Sequence, residues 1–353
     1  RIMVFFAHRL GDTATYEVAR DQAALLEQHF LPVFFCPQLG AIADHVDARG
    51  RRAETYPSYS YLGLMHALGV DLVRPVLGQL GQFFAASYMQ PHGVGVMPAW
   101  DRYARTEPVH SSWYLHWDRY VLKVLRRTGR GAAIMQYLEL LSDVWRRFAY
   151  LPELVRLDAE FIDPVDRWLE HGQPWNVNCA TGVYGAIIES VLGLEVDAGG
   201  VTYIPCDLPC DLFAERMHLG RGQWQVEICG RGPHVGHLAV DGQKLVGTCK
   251  VPFSLTGPGD HVLKIARTDR SAEHPILAEA AGAMVCEVWV EGRCLHVGLT
   301  GWGATHVVFW SAQRPSIRWR GQPMDFYWDD RMCRAVVKVS LDEDPGEMRV
   351  CNG

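Results

Sequence analysis

The sequence predicts an α+β protein of two domains: helical hairpins over residues 1–198 and an antiparallel β-sandwich over residues 199–353. Three observations carry this. Before about residue 200, apolar side chains recur at the i, i+3, i+4, i+7 spacing of helices with one buried face. Beyond it they alternate with period two. The length of 353 residues suits two domains, and a composition 48% hydrophobic and 21% charged excludes disordered, collagenous and coiled-coil chains.

Three stripes define the main helices. They are Val73, Val76, Leu77, Leu80, Phe83 and Phe84; then Trp113, Trp117, Tyr120, Val121, Val124 and Leu125; then Ile134, Tyr137, Leu138, Leu141, Trp145 and Phe148. Ser111 or Ser112 is placed to cap the second, and Gly129 to end it in the left-handed conformation. Shorter helical patterns at 13–30, 60–69 and 179–193 bring the expectation to about six or seven helices in antiparallel hairpins. Three long loops, at 40–50, 89–111 and 158–178, each lead into a helix and are the natural place for a binding site.

In the second half Trp224–Ile228 alternates cleanly, and Asp241-Gly242 after Leu238 and Val240 signals a tight hairpin. Glu291-Gly292 separates strands at 284–290 and 293–299. Further strands are expected at 261–267, 305–311, 315–319 and 334–341, so about ten in all, as in a β-sandwich.

The formal charge of -6 argues against a nucleic-acid partner, because neutralising phosphates needs a positive surface. No apolar run approaches the roughly 20 residues that cross a bilayer, and the start is not a signal peptide, so a cytoplasmic protein off the membrane is expected. The chain begins without Met inside an expected element, as a piece of something longer would. The ten cysteines show no CxxC, and free, mostly buried thiols in a reducing compartment are expected. Cys206-x3-Cys210 near His218 lacks the second close ligand pair of structural zinc, so no metal and no cofactor is expected.

Three segments resemble the six-hairpin, (α/α)6-barrel glycosidases, the α-L-rhamnosidase-like enzymes and related hydrolases and phosphorylases. Phe30–Phe35 followed by Asp44-His45-Val46-Asp47-Ala48-Arg49-Gly50 resembles their helix and D-x-x-D-x-x-G loop. Ser112–Tyr120 with Leu125-Arg126-Arg127-Thr128-Gly129-Arg130 resembles their aromatic-led helix and its exit. Asn176–Gly185 leading to Val201–Pro205 resembles the last barrel helix and the crossing into the β domain. The sequence departs from the pattern at Tyr114, Leu115 and Cys179, where a carboxylate and a His are usual. The resemblance implies a partial (α/α)6 toroid, because about half of its twelve helices are accounted for.

The resemblance also implies glycoside hydrolysis. That chemistry needs one carboxyl to protonate the leaving oxygen and another to activate water; in inverting enzymes they stand roughly 6.5–9.5 Å apart. Glu54, Asp101, Glu107 and Asp118 lie on the long loops or at helix starts, and Glu107 and Asp101 are favoured as the pair because both precede the aromatic helix. Trp100, Trp113, Trp117, Trp175, Tyr56 and Tyr59 are candidates to stack on sugar rings, Trp113 and Trp117 being one helical turn apart on a face that equally suits core packing. Asn176, Asn178 and Glu54 can bind hydroxyls, although Asn is also a good helix cap. His110 and His116 suit a general base or a phosphate ligand, which keeps a phosphorylase open. The third alternative is a non-catalytic carbohydrate-binding subunit. In either form the half-toroid exposes an apolar inner face, which upstream sequence, a partner chain or a second copy must cover.

Overall fold

A computed structural model describes residues 2–352 except 44, 53–75, 92, 96–111, 153, 157–176, 198, 281, 302, 331 and 343. The protein is mixed α+β with a β-rich C-terminal part. It divides into two compact units, one from the described residues of 21–191, the other from those of 1–20 and 192–353. The break falls between Val191 and Leu192, where the sequence pointed to 198/199, and the first twenty residues group with the β-rich unit.

Helix α1 spans Ile2–Arg9 and α2 spans Thr13–Phe34. Asp12 opens α2 by accepting the Thr15 N–H at 3.0 Å, which satisfies one of the donors a helix start leaves without partners. The other end is held by Arg52, which donates to the carbonyls of Pro32 and Val33 at 2.8 Å each. Between them, β1 (Phe35–Cys36) and β2 (Ala41–Ile42) form a short hairpin. The second Asp of the D-x-x-D-x-x-G segment has a structural task. Asp47 accepts the N–H groups of Arg49 and Arg51 at 2.8 and 2.9 Å and pairs with the Arg51 guanidinium at 2.7 Å. These bonds hold its carboxyl below the usual carboxylate range.

Helix α3 spans Val76–Ser87, followed by the hairpin of β3 (Met89–Gln90) and β4 (Gly93–Val94). The second stripe departs from expectation. Ser112–Tyr114 is a strand, β5, paired with β6 (Leu154–Arg156); a 3-10 turn covers Leu115–Trp117; and helix α4 begins only at Asp118, ending at Arg127. Trp113 and Trp117 are therefore not one turn apart on a helix. Periodicity cannot register a strand whose partner lies some forty residues away. Gly129, at φ +70°, ends α4 as expected, with Arg130 N–H bonded to Leu125 O at 2.8 Å. Helix α5 (Gly131–Phe148) forms where expected, but its buried face is turned from the expected stripe: Ile134, Tyr137 and Leu141 are buried as expected, Leu140 and Val144 join them, Leu138 and Phe148 are only half-buried, and Trp145 is exposed. Helix α6 (Val177–Ala186) continues into a π-helical turn, Ile187–Leu192. The helix expected at 60–69 lies outside the described residues.

The β-rich unit is not one antiparallel sandwich. A three-stranded sheet joins β7 (Leu194–Asp197), β8 (Gly200–Tyr203) and β13 (Lys250–Pro252). A five-stranded sheet contains β9 (Leu212–Leu219), β10 (Gly222–Gly230), β11 (His234–Val240), β12 (Gln243–Leu245) and β14 (Gly259–Thr268). In it β14 runs parallel to β10, because the chain makes the β11–β12 hairpin before returning between β10 and β11. Asp241 and Gly242, at φ +50° and +81°, form the expected two-residue turn of that hairpin.

The true sandwich follows. One sheet has β15 (Ile276–Ala280), β18 (Gly303–Trp310), β22 (Arg334–Leu341) and β21 (Phe326–Asp329) in that order. The other has β16 (Ala283–Glu291), β17 (Cys294–Gly301), β23 (Gly346–Asn352), β19 (Pro315–Trp319) and β20 (Gln322–Pro323). Their inner faces share one core, with Leu295, Val297 and Leu299 meeting Val307, Phe309, Val337 and Val339.

The cysteines also differ from expectation. Cys294 and Cys351 form a disulfide, because the β17–β23 register sets them directly opposite. Of the eight others only Cys179, Cys206 and Cys249 are buried. The loop between Cys206 and Cys210 is gripped by the buried Arg267, which donates to Leu208 O at 3.1 Å and Cys210 O at 2.6 Å. Among the described residues no helix is long and apolar enough to cross a membrane.

Candidate functional site

The described residues nearest in sequence to Glu107 are those of β5 and the turn into α4. Trp113 is fully buried, and its indole N–H donates to both carboxylate oxygens of Asp118 at 2.8 and 2.9 Å. Its ring meets Tyr137 edge-on at 5.9 Å, which brings α5 into the same cluster. Burial pushes the Asp118 carboxyl well above the usual carboxylate range, against the opposing hydrogen bonds from the Trp113 indole. The same burial, together with Asp118, raises the Tyr137 hydroxyl. This cluster ties the start of α4 to β5 and α5.

On the other side of the turn, His116 is half-buried, with Tyr114 edge-on at 4.2 Å. Its Nδ1 lies 3.8 Å from Sγ of Cys179 in the first turn of α6. Gly182 permits that approach, since a Cβ there would sit 2.6 Å from the His116 carbonyl oxygen. Glu189 on the π-helical turn pairs with Arg119 at 2.8 Å and Lys123 at 3.7 Å. The buried Arg126 donates to Ser190 O and Val191 O at 3.0 and 2.8 Å, satisfying carbonyls at the end of that turn. The 3-10 turn and the start of α6 are thus packed together. They bear a thiol, an imidazole and an enclosed carboxyl.

Glu54, Tyr56, Tyr59, Trp100, Asp101, Glu107, His110, Trp175 and Asn176 lie outside the described residues, as do the side chains of Trp117 and Asn178. Helix α6 begins directly after Asn176. Trp113 and Asp118 are corrections. Both are enclosed, so the indole has no face for a sugar, and the carboxylate serves the indole. The Arg119–Glu189 pair went unseen in the sequence, because its members stand 70 residues apart and neither carries a local signal. Cys179 stood out only as a departure from the resembled pattern. Among the described residues no group of three or more His, Cys, Asp or Glu is arranged to hold a metal ion. No protein-family model matches the chain, and no curated protein matches it.

Proposed function

We propose that this chain is a carbohydrate-active enzyme, or part of one, that hydrolyses a glycosidic bond by carboxylate acid/base catalysis, inverting the anomeric centre. Glu107 and Asp101 are the acid/base pair, and Trp100, Trp175, Tyr59, Glu54, Asn176, Asn178 and His110 bind the sugar. The observation that supports this is the cluster of Trp113, Asp118 and Tyr137, which anchors β5, the described strand that follows Asp101 and Glu107 in the chain. A catalytic loop needs such a fixed exit to hold its carboxyls in register with a substrate.

The test is sugar release from a panel of disaccharides and oligosaccharides, each with and without inorganic phosphate. Phosphate-independent release supports the hydrolase. Release only with phosphate replaces it by a phosphorylase, with His110 as a phosphate ligand. No release from any substrate refutes the proposal. Glu107→Gln and Asp101→Asn should each lower turnover by at least ~10²-fold.

In this reading the helical part is half of an (α/α)6 toroid, completed by further polypeptide, a partner chain or a second copy. The exposed apolar side chains of Leu25, Leu26 and Val33 on α2 and of Trp145 on α5, all in the helical unit, favour such a partner. A native mass of one chain together with a single cooperative melt would count against it.

A further inference from the structure

We propose that the outer face of the β16–β17–β23–β19 sheet is a second, non-catalytic surface that binds a neutral oligosaccharide. Leu295, Val297, Leu299, Met348, Val350 and Ile317 point into the core, so their neighbours on each strand point outward. The register sets Trp289 opposite His296, His296 opposite Arg349, and Arg349 opposite Arg318. These four side chains make one row across four strands, about 14 Å long at ~4.8 Å per strand. That is the reach of a short oligosaccharide. Glu287, Gly298 and Glu347 form the row on one side; Glu291, Cys294, Cys351 and Ser316 form the row on the other.

The row is preorganised. The His296 imidazole is buried between two carboxylates, with Nδ1 2.6 Å from Glu347 and Nε2 3.6 Å from Glu291. Trp289 stacks on it at 4.8 Å with ring planes 14° apart, yet remains 38% exposed. An indole already held in place loses little conformational freedom when a pyranose C–H face stacks on it. The Cys294–Cys351 disulfide ties β17 to β23 beside the row. The exposed Glu287 and Glu347 accept hydroxyl hydrogen bonds, and Arg318 and Arg349 donate them. Carboxylates and guanidiniums nearly balance, which suits an uncharged, hydroxyl-rich ligand better than a polyanion or a nucleic acid. The surface rests on the chemistry of this sheet and is independent of the hydrolase reading.

The test is migration of the full chain in native gels cast with a soluble β-glucan, a xylan, a galactomannan or an acidic pectic polysaccharide. At least one neutral polymer should retard it. Trp289→Ala should weaken that retardation roughly tenfold, the weight of one aromatic contact. Trp289→Tyr should stay within about threefold of wild type, and Arg318→Ala, at an exposed position, should weaken binding without changing the melt. Asp101→Asn should leave retardation intact, so loss of turnover and loss of surface binding are read separately. If Trp289→Ala lowers the melting temperature, Arg318→Ala decides. No retardation by any neutral polymer overturns the proposal, as do retardation by the acidic polymer alone and retardation that neither Trp289→Ala nor Arg318→Ala changes.

Discussion

Removing the Asp197 carboxylate strands a charged group inside the β-rich unit. The Lys250 side chain is completely buried, and its Nζ lies 2.9 and 2.7 Å from the two Asp197 oxygens. Its other acceptors are the carbonyls of Ala280 and Ala283, at 3.3 and 3.4 Å. Asp197→Ala leaves the ammonium with only those two long contacts. Breaking a buried pair from one side costs about 3–5 kcal/mol, and the two carbonyls place this case near 3. Lys250→Met is the gentler change. It leaves Asp197, whose side chain is 30% exposed and still accepts the Gly199 N–H at 2.7 Å, so the cost should be about 1 kcal/mol. The expected order is therefore Asp197→Ala well below Lys250→Met, the former shifting the unfolding equilibrium on the order of a hundredfold. Urea titrations of the full chain, followed by near-UV circular dichroism, read this as the midpoint shift of the β-rich unit's transition. Equal losses for both variants, or a larger loss for Lys250→Met, would refute the account of a stranded ammonium.

Asp118 should act in the opposite pH sense to a surface carboxylate. Burial raises its folded pKa, so its stabilising contribution is complete below the ordinary carboxylate range and is lost as pH rises through the folded value. The melting temperature of Asp118→Asn should therefore gain on wild type as pH increases from about 4; a difference independent of pH would contradict this. Gly182→Ala should cost up to about 3 kcal/mol, because its Cβ meets the His116 backbone. Gly185→Ala on the same helix meets only the flexible Arg119 side chain, at 3.4 Å and beyond, and should be neutral or slightly stabilising, by up to ~1 kcal/mol; paired thermal melts check both. A thiol reagent on the native protein should modify Cys229 first, then Cys286, whose thiol is held up by burial and by Glu287. The buried Cys249, pushed up by burial, should stay protected. Denaturation without reductant should release eight thiols, and ten after reduction; ten without reductant would remove the disulfide.

The elements that could be read along the chain are those whose cause is local. The stripe from Ile134 to Phe148 became α5, Asp241-Gly242 became a two-residue turn, and 315–319 and 334–341 became strands at those bounds. A helix face, a left-handed turn residue or a pleat depends on side chains within a few positions, so their spacing records them. The candidate acid and base came from chain order and from the resemblance, and Trp113 and Asp118 show how that reasoning fails. Their residue types and positions suit a sugar site, but enclosure by Tyr137 and pairing with Val155 turn them into packing. The parallel β10–β14 pair, the Cys294–Cys351 bond, the Lys250–Asp197 pair and the His296–Arg349–Arg318 part of the outer row also left no trace in spacing. Each joins residues separated by tens of positions. Which distant partners meet depends on how whole sheets and helices bury their faces together, and that is a property of the packed chain and not of any window along it.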